Sequence, residues 1–154
     1  MNSATYLANR LREVLTEGKW VTGTNVKAQL IDLNWKDAIE SVNGLNSIAL
    51  LTFHLHYYIE GVTKVFEGGP LEIRDALSFD APPIQLEEDW NALTQRFCTD
   101  AERLIQLVAE MPEERLMENF AGETYGSIQR NIDAMIEHCY YHLGQMLMIK
   151  KLLV

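Results

Sequence analysis

The chain has 154 residues, 22 of them acidic and 13 basic, which gives a formal net charge of -9. This length suits a protein that buries its own hydrophobic core, so we expect a single domain over residues 1–154. The excess of negative charge argues against binding to nucleic acid, because the phosphate backbone would be repelled over most of the surface.

The chain contains two cysteines, Cys98 and Cys139, and both lie within apolar helical patterns. Free thiols in such patterns usually behave as small buried hydrophobic groups, so a disulfide framework is not expected. No segment has the unbroken apolar run of a signal peptide or of a bilayer-spanning helix. We therefore expect a soluble, cytoplasmic protein without a membrane partner.

The first part of the chain predicts one long helix and two short ones. Apolar residues recur at helical spacing over residues 4–17. Two short helical pieces follow, at residues 25–31 behind the candidate N-cap Thr24 and at residues 35–41 behind the candidate N-cap Asn34. These pieces indicate a structured connection to the next long helix.

The second long helix is predicted from residue 46 or 47 to about residue 66, and it ends before the Gly68-Gly69-Pro70 breaker. Residues 70–85 follow as a crossing loop, because Pro82 and Pro83 argue against any long element there.

The remainder predicts a third long helix over about residues 86–111, a short element near residues 113–120 and a last long helix over about residues 127–152. Strand signals are almost absent. Four long amphipathic segments with connections of mixed length predict an all-α four-helix bundle with short extra helices in the connections, an architecture that builds sites in its core from facing helices.

The four histidines all lie on the second and fourth long segments. The helical stripe through His54 is free of formal charge, so this side chain is expected to face the core. The stripe through His56 carries charged residues, so His56 is expected to point toward solvent or a rim. His138 and His142 are four residues apart on a face that is apolar apart from a few uncharged polar groups.

Three inward imidazoles from two facing helices predict a metal site made by His54, His138 and His142. Neutral imidazole binds zinc, nickel, copper and iron well, and three protein ligands leave positions open for water or substrate. The alternative is that they are core side chains satisfied by hydrogen bonds. Burying three imidazoles without a common partner would leave unsatisfied polar groups at about 1–3 kcal/mol each, which brings the metal site level with the core interpretation.

Other candidates near these histidines have ordinary structural explanations. Gln145 either orients a ligand or bridges two helices. Glu137 is expected to be a solvated charge, and Cys139 has no cationic neighbour that would activate it as a nucleophile. A second set consists of aromatic residues that either fill the core or hydrogen-bond a bound water or substrate: Tyr57, Tyr58, Tyr140 and Tyr141.

An inward histidine on the second long helix, followed by H-x-x-x-H-x-G-Q on the last, resembles the DinB-like (YfiT-like) superfamily of metalloenzymes. The motif is His138, His142, Gly144 and Gln145 in this chain. The resemblance covers most of the chain, since helix order, helix length and ligand placement agree. Many members carry a basic residue where this chain has Leu143.

The resemblance implies a divalent metal ion held by His54, His138 and His142, with zinc or nickel as first candidates and iron or manganese as further ones. It also implies a homodimer. Relatives include bacillithiol transferases and mycothiol-dependent maleylpyruvate isomerases, which implies an unknown small-molecule substrate and a low-molecular-weight thiol as partner.

Two functional hypotheses follow. The first is a metal-dependent enzyme that activates water or a thiol, for hydrolysis or for thiol transfer to a small electrophile. The second is a non-catalytic dimeric helical bundle that acts as an interaction or ligand-sensing module.

Overall fold

The computed structural model describes residues 2–153, and this part of the chain is all-helical. The α-helices are α1 (Ser3–Arg12), α2 (Val26–Leu30), α3 (Trp35–Ile39), α4 (Ile48–Phe66), α5 (Glu87–Ala109) and α6 (Ile128–Leu152). A π-helical stretch, Glu13–Glu17, extends α1, and 3-10 turns occupy Asp75–Leu77, Glu113–Met117 and Glu123–Tyr125.

The sequence predicted the four long helices to within two residues at each end, if the π-helical stretch Glu13–Glu17 is counted with α1. Ser47 and Ser127 begin α4 and α6, because each hydroxyl accepts a backbone N–H of the first turn at 3.1 Å. The predicted cap of α2 was wrong: Asn25 Oδ1, not the Thr24 hydroxyl, accepts the Ala28 N–H at 2.9 Å.

The long helices pack against one another so that α4 lies beside both α5 and α6, and α1 also contacts both α5 and α6. The largest fully buried side chains come from all four of these helices and from the connections: Phe97, Leu11, Leu15, Leu30, Ile48, Leu51, Leu55, Ile59, Leu104, Ile105, Leu116 and Ile132. Burial of each such side chain contributes about 1.5–3 kcal/mol, so packing of these faces is the main stabilising term. Within residues 2–153, no helix has the length and the apolar character needed to cross a bilayer.

The connection between α4 and α5, residues 67–86, is here called the crossing segment. It runs close to α4 at Gly61, where an added Cβ would collide with the Ile73 side chain. The Tyr57 hydroxyl fixes the same region, since it donates to the Arg74 carbonyl at 3.1 Å and accepts the Arg74 N–H at 2.8 Å. The segment predicted as a loop therefore lies ordered against α4.

Candidate metal centre

The structure brings together the three histidines that the sequence singled out. His54 lies on α4, and His138 and His142 lie one turn apart on α6. His138 Nε2 is 3.0 Å from His54 Nε2 and 2.8 Å from His142 Nε2. One ligand atom from each residue lies within 4.8 Å of the other two, so the group could hold a metal ion.

The outer ring nitrogens of two histidines are anchored by oxygen acceptors. His54 Nδ1 is 3.2 Å from the Ser78 carbonyl oxygen, and His142 Nδ1 is 2.6 Å from Gln145 Oε1. A carbonyl oxygen only accepts, so each Nδ1 carries the proton. Each Nε2 then directs a lone pair toward His138, which is the tautomer required of a metal ligand.

His138 Nε2 faces both of these lone pairs, yet it carries at most one proton. At least one of the two short N···N contacts is therefore lone pair against lone pair in a neutral cluster. A divalent cation between the three nitrogens removes this repulsion. Tetrahedral zinc with Zn–N bonds of about 2.0–2.1 Å would need its nitrogens about 3.3 Å apart, a few tenths of an ångström more than the 3.0 and 2.8 Å separations.

The cluster is held in the neutral form that binds metal. His54 and His142 are buried and His138 is half-buried. Burial, together with the neighbouring His142 and His54, lowers the pKa of His138 from 6.5 to about 4. Burial also lowers the pKa of His54 and of His142. At neutral pH the imidazoles therefore present lone pairs and not positive charges.

Aromatic side chains surround the cluster and fix the planes of its rings. Phe79, on the crossing segment, stacks face to face on His54 with centroids 4.0 Å apart and an interplanar angle of 9°. Tyr58 lies edge-on to both His54 and His138, with centroids 5.1 and 5.2 Å away. Such packing limits rotation of the imidazoles and shields part of the site from water.

Tyr58 also links the histidines to a carboxylate. Its hydroxyl donates to Asp75 Oδ1 at 2.7 Å. Burial and the contact with Asp75 raise the pKa of Tyr58, so the phenol keeps its proton at neutral pH. Asp75, Ser78 and Phe79 were missed by the sequence reasoning, because a loop pattern carries no periodicity that shows which side chains turn inward.

The prediction that His56 points toward solvent or a rim was wrong. His56 is only 8% exposed, and its Nε2 lies 2.6 Å from Asp100 Oδ2 on α5. His56 itself packs against α5, which supplies a carboxylate partner across the interface, while the charged neighbours Glu60 and Lys64 stay exposed. His56 is thus a buried residue satisfied by Asp100, and it is not part of the histidine cluster.

The structure also resolves the secondary candidates. Glu137 is exposed and pairs with Arg130 at 3.2 Å, as expected for a solvated charge. Cys139 is fully buried, as expected for a core residue, and burial raises the pKa of its thiol to about 12. Gln145 contacts His142 directly, which agrees with the orienting one of its two predicted roles.

Comparison of the chain with protein-family models, with curated proteins and with solved structures found no match. The DinB-like resemblance accordingly rests on His54 and on the motif from His138 to Gln145. It stays a proposal, as does the arrangement of the long helices as a four-helix bundle.

Proposed function

We propose that the protein is a metal-dependent enzyme of the DinB-like type, built on a four-helix bundle. His54, His138 and His142 hold one divalent metal ion, with zinc or nickel as the first candidates. The observation that carries the proposal is the convergence of three Nε2 atoms, two of them in rings whose Nδ1 protons are donated outward. Three neutral nitrogen ligands leave coordination positions for water and substrate.

Tyr58 and Asp75, beside the three histidines, are the residues that could take part in chemistry at the metal site. A bound divalent metal ion lowers the pKa of a coordinated water or thiol and polarises a substrate carbonyl. The Tyr58 hydroxyl donates a hydrogen bond to Asp75, so toward any further group, such as a nucleophile beside His138, its phenol oxygen can only accept. The Tyr58–Asp75 pair thereby provides a route for the proton that leaves water or a thiol. Hydrolysis and thiol transfer to a small electrophile are the reactions that this arrangement supports.

A second candidate function is a non-catalytic dimeric module. It is favoured by an exposed apolar surface at the C-terminal half of α6, where Tyr141 is 65% and Met148 60% exposed, with Leu45 at 46% beside them. Exposed large apolar side chains grouped in this way are typical of protein–protein contacts. A homodimer through this face is compatible with either function.

The deciding experiment is the metal content of protein purified without a histidine tag, measured by elemental mass spectrometry. We expect near-stoichiometric metal in the wild type and in His56→Ala, and its loss in His54→Ala, His138→Ala and His142→Ala. His56→Ala is a matched control, because it removes a buried histidine of the same helix as His54. Wild-type protein that contains no metal and takes up neither zinc nor nickel would refute the proposal.

Activity separates the enzyme from the module. Screening against thiol and electrophile pairs and against hydrolysable esters and amides should yield a turnover that chelation abolishes. Metal-loaded protein that shows no such turnover but dimerises through the Tyr141 and Met148 surface would favour the second candidate.

A further inference from the structure

A cleft of about 430 Å³ opens beside the histidine cluster and is bounded by α4, α6, the crossing segment and the turn before α6. His138 is the cluster member that lines it. Most of its wall is apolar and comes from Val62, Leu71, Ile73, Phe120 and Met135. A volume of this size holds a small organic molecule with an apolar body.

The only formal charge on the described wall of the cleft is negative. Asp75 lines it as a carboxylate, and no lysine or arginine is found among the described residues of its wall. A carboxylate or phosphate on a ligand would therefore meet Asp75 with no cation to balance it. The net charge of -9 on the whole chain acts in the same direction.

Asn131 and Tyr58 offer hydrogen-bond acceptors to the cleft. Asn131 Nδ2 donates to the backbone carbonyls of Tyr125 and Ser127, both at 2.8 Å. These two acceptors use both amide protons, so only Oδ1 of Asn131 is left for a ligand. The Tyr58 hydroxyl donates its hydrogen bond to Asp75, so toward a ligand it likewise acts only as an acceptor.

Two aromatic rings complete the lining. Phe120 and Tyr125 meet edge to face with centroids 6.5 Å apart. The negative face of such a ring attracts a cation within about 6 Å. Apolar walls, one carboxylate, free acceptors and ring faces all favour the same kind of ligand.

We propose that this cleft binds a small protonated amine with an apolar or aromatic body. The ammonium group donates to Asp75 and Asn131, and the apolar body lies against Phe120 and Met135. The assignment rests on the proposed function, because it makes the amine the substrate that is presented to His138. It also excludes acidic small molecules as substrates.

Isothermal titration of three ligands of equal size tests the proposal: benzylamine, benzyl alcohol and benzoate, at pH 7 and with the metal content of each sample measured in parallel. We expect benzylamine to bind about tenfold or more tightly than benzoate, as hydrogen bonds to charged groups are worth about 1.5–3 kcal/mol. The preference should persist after chelation, because it comes from the cleft and not from coordination of the amine.

Asp75→Asn should lower the affinity for benzylamine about tenfold and so reduce the difference in affinity between benzylamine and benzoate. Asp80→Asn is the matched control, because it makes the same charge change on the crossing segment at a residue outside the cleft wall. The affinity of this variant for benzylamine should equal that of the wild type. The proposal is overturned if benzoate binds as tightly as benzylamine, if none of the three ligands binds, or if Asp75→Asn behaves like Asp80→Asn.

The two proposals fail separately. Stoichiometric metal without amine selectivity would remove the substrate assignment and leave the metal centre. Amine selectivity in protein that takes up no metal would keep the cleft as an amine site and remove the enzyme.

Discussion

Gln145, three residues after His142 on α6, accepts a hydrogen bond from the His142 ring. Gln145 Oε1 lies 2.6 Å from His142 Nδ1. The same turn of helix thus provides both a candidate metal ligand and the group that fixes its tautomer and ring orientation. Ser78 does the equivalent for His54 through a backbone carbonyl, which no side-chain substitution removes directly.

Gln145→Leu is therefore expected to weaken metal binding by about 10–100-fold, the usual cost of losing a partner that orients a ligand. The dissociation constant for zinc, measured by competition with a chromogenic chelator, checks this. Gln129→Leu serves as the control, because it makes the same change on α6 about 24 Å further toward its N-terminus and away from the cluster. Equal zinc affinities for the two variants would show that Gln145 does not support the site.

Gly61→Ala tests the close approach of the crossing segment to α4. Alanine in a helix normally stabilises by about 0.5–1 kcal/mol relative to glycine. Here the new methyl group collides with Ile73, and overpacking costs about 1–3 kcal/mol, so we expect a net loss of about 1 kcal/mol in the free energy of unfolding. Urea denaturation followed by circular dichroism measures the difference.

The control for this substitution is Gly144→Ala on α6, the helix that carries His138 and His142. A Cβ added at Gly144 meets nothing within 4 Å, so Gly144→Ala should raise the free energy of unfolding. Gly61→Ala should also weaken zinc binding, since Ile73 belongs to the segment that carries Ser78 and Phe79. Stabilisation by both substitutions would contradict the described packing of the crossing segment.

The pair formed by His56 and Asp100 is expected to stabilise the fold without serving the metal centre. His56→Ala removes a buried hydrogen-bonded ring and should lower the free energy of unfolding by about 2 kcal/mol. Its zinc stoichiometry should stay at the wild-type value. A double-mutant cycle with Asp100→Ala measures the coupling, and a coupling energy near zero would show that the contact contributes nothing.

Metal-free protein should lose stability as the pH falls from about 6.5 to about 4. The folded pKa of His138 is depressed to about 4 from its ordinary 6.5, so between these values the unfolded chain binds more protons than the folded one. Protonation then favours unfolding, and the free energy of unfolding rises with pH across this window. Urea titrations at pH 5 and pH 7, with chelator present, give the slope.

His138→Gln should show a smaller pH dependence than the wild type, because it removes the histidine whose pKa is depressed to about 4, while His54, His56 and His142 are retained in both proteins. The expectation fails if the two proteins change stability equally between pH 5 and pH 7.

Helical periodicity and caps were sufficient to predict the long helices, because both depend on neighbours a few residues away in the chain. The interior placement of His54 and His142 could also be predicted from helical periodicity, since an uncharged stripe on a helix is expected to face the core. His56 shows where this logic fails: its own helix surface is charged, and only the packing of α5 with Asp100 makes burial favourable.

The sequence by itself determined that the chain is helical and acidic and that three histidines lie on inward faces of two helices, because residue type and spacing fix these properties locally. Only the tertiary structure decided that His138 Nε2 lies within hydrogen-bond distance of both His54 Nε2 and His142 Nε2. It alone also placed Asp75, Ser78 and Phe79 at the site. Their segment has no periodicity, so its side chains are positioned by long-range contacts such as Ile73 against Gly61.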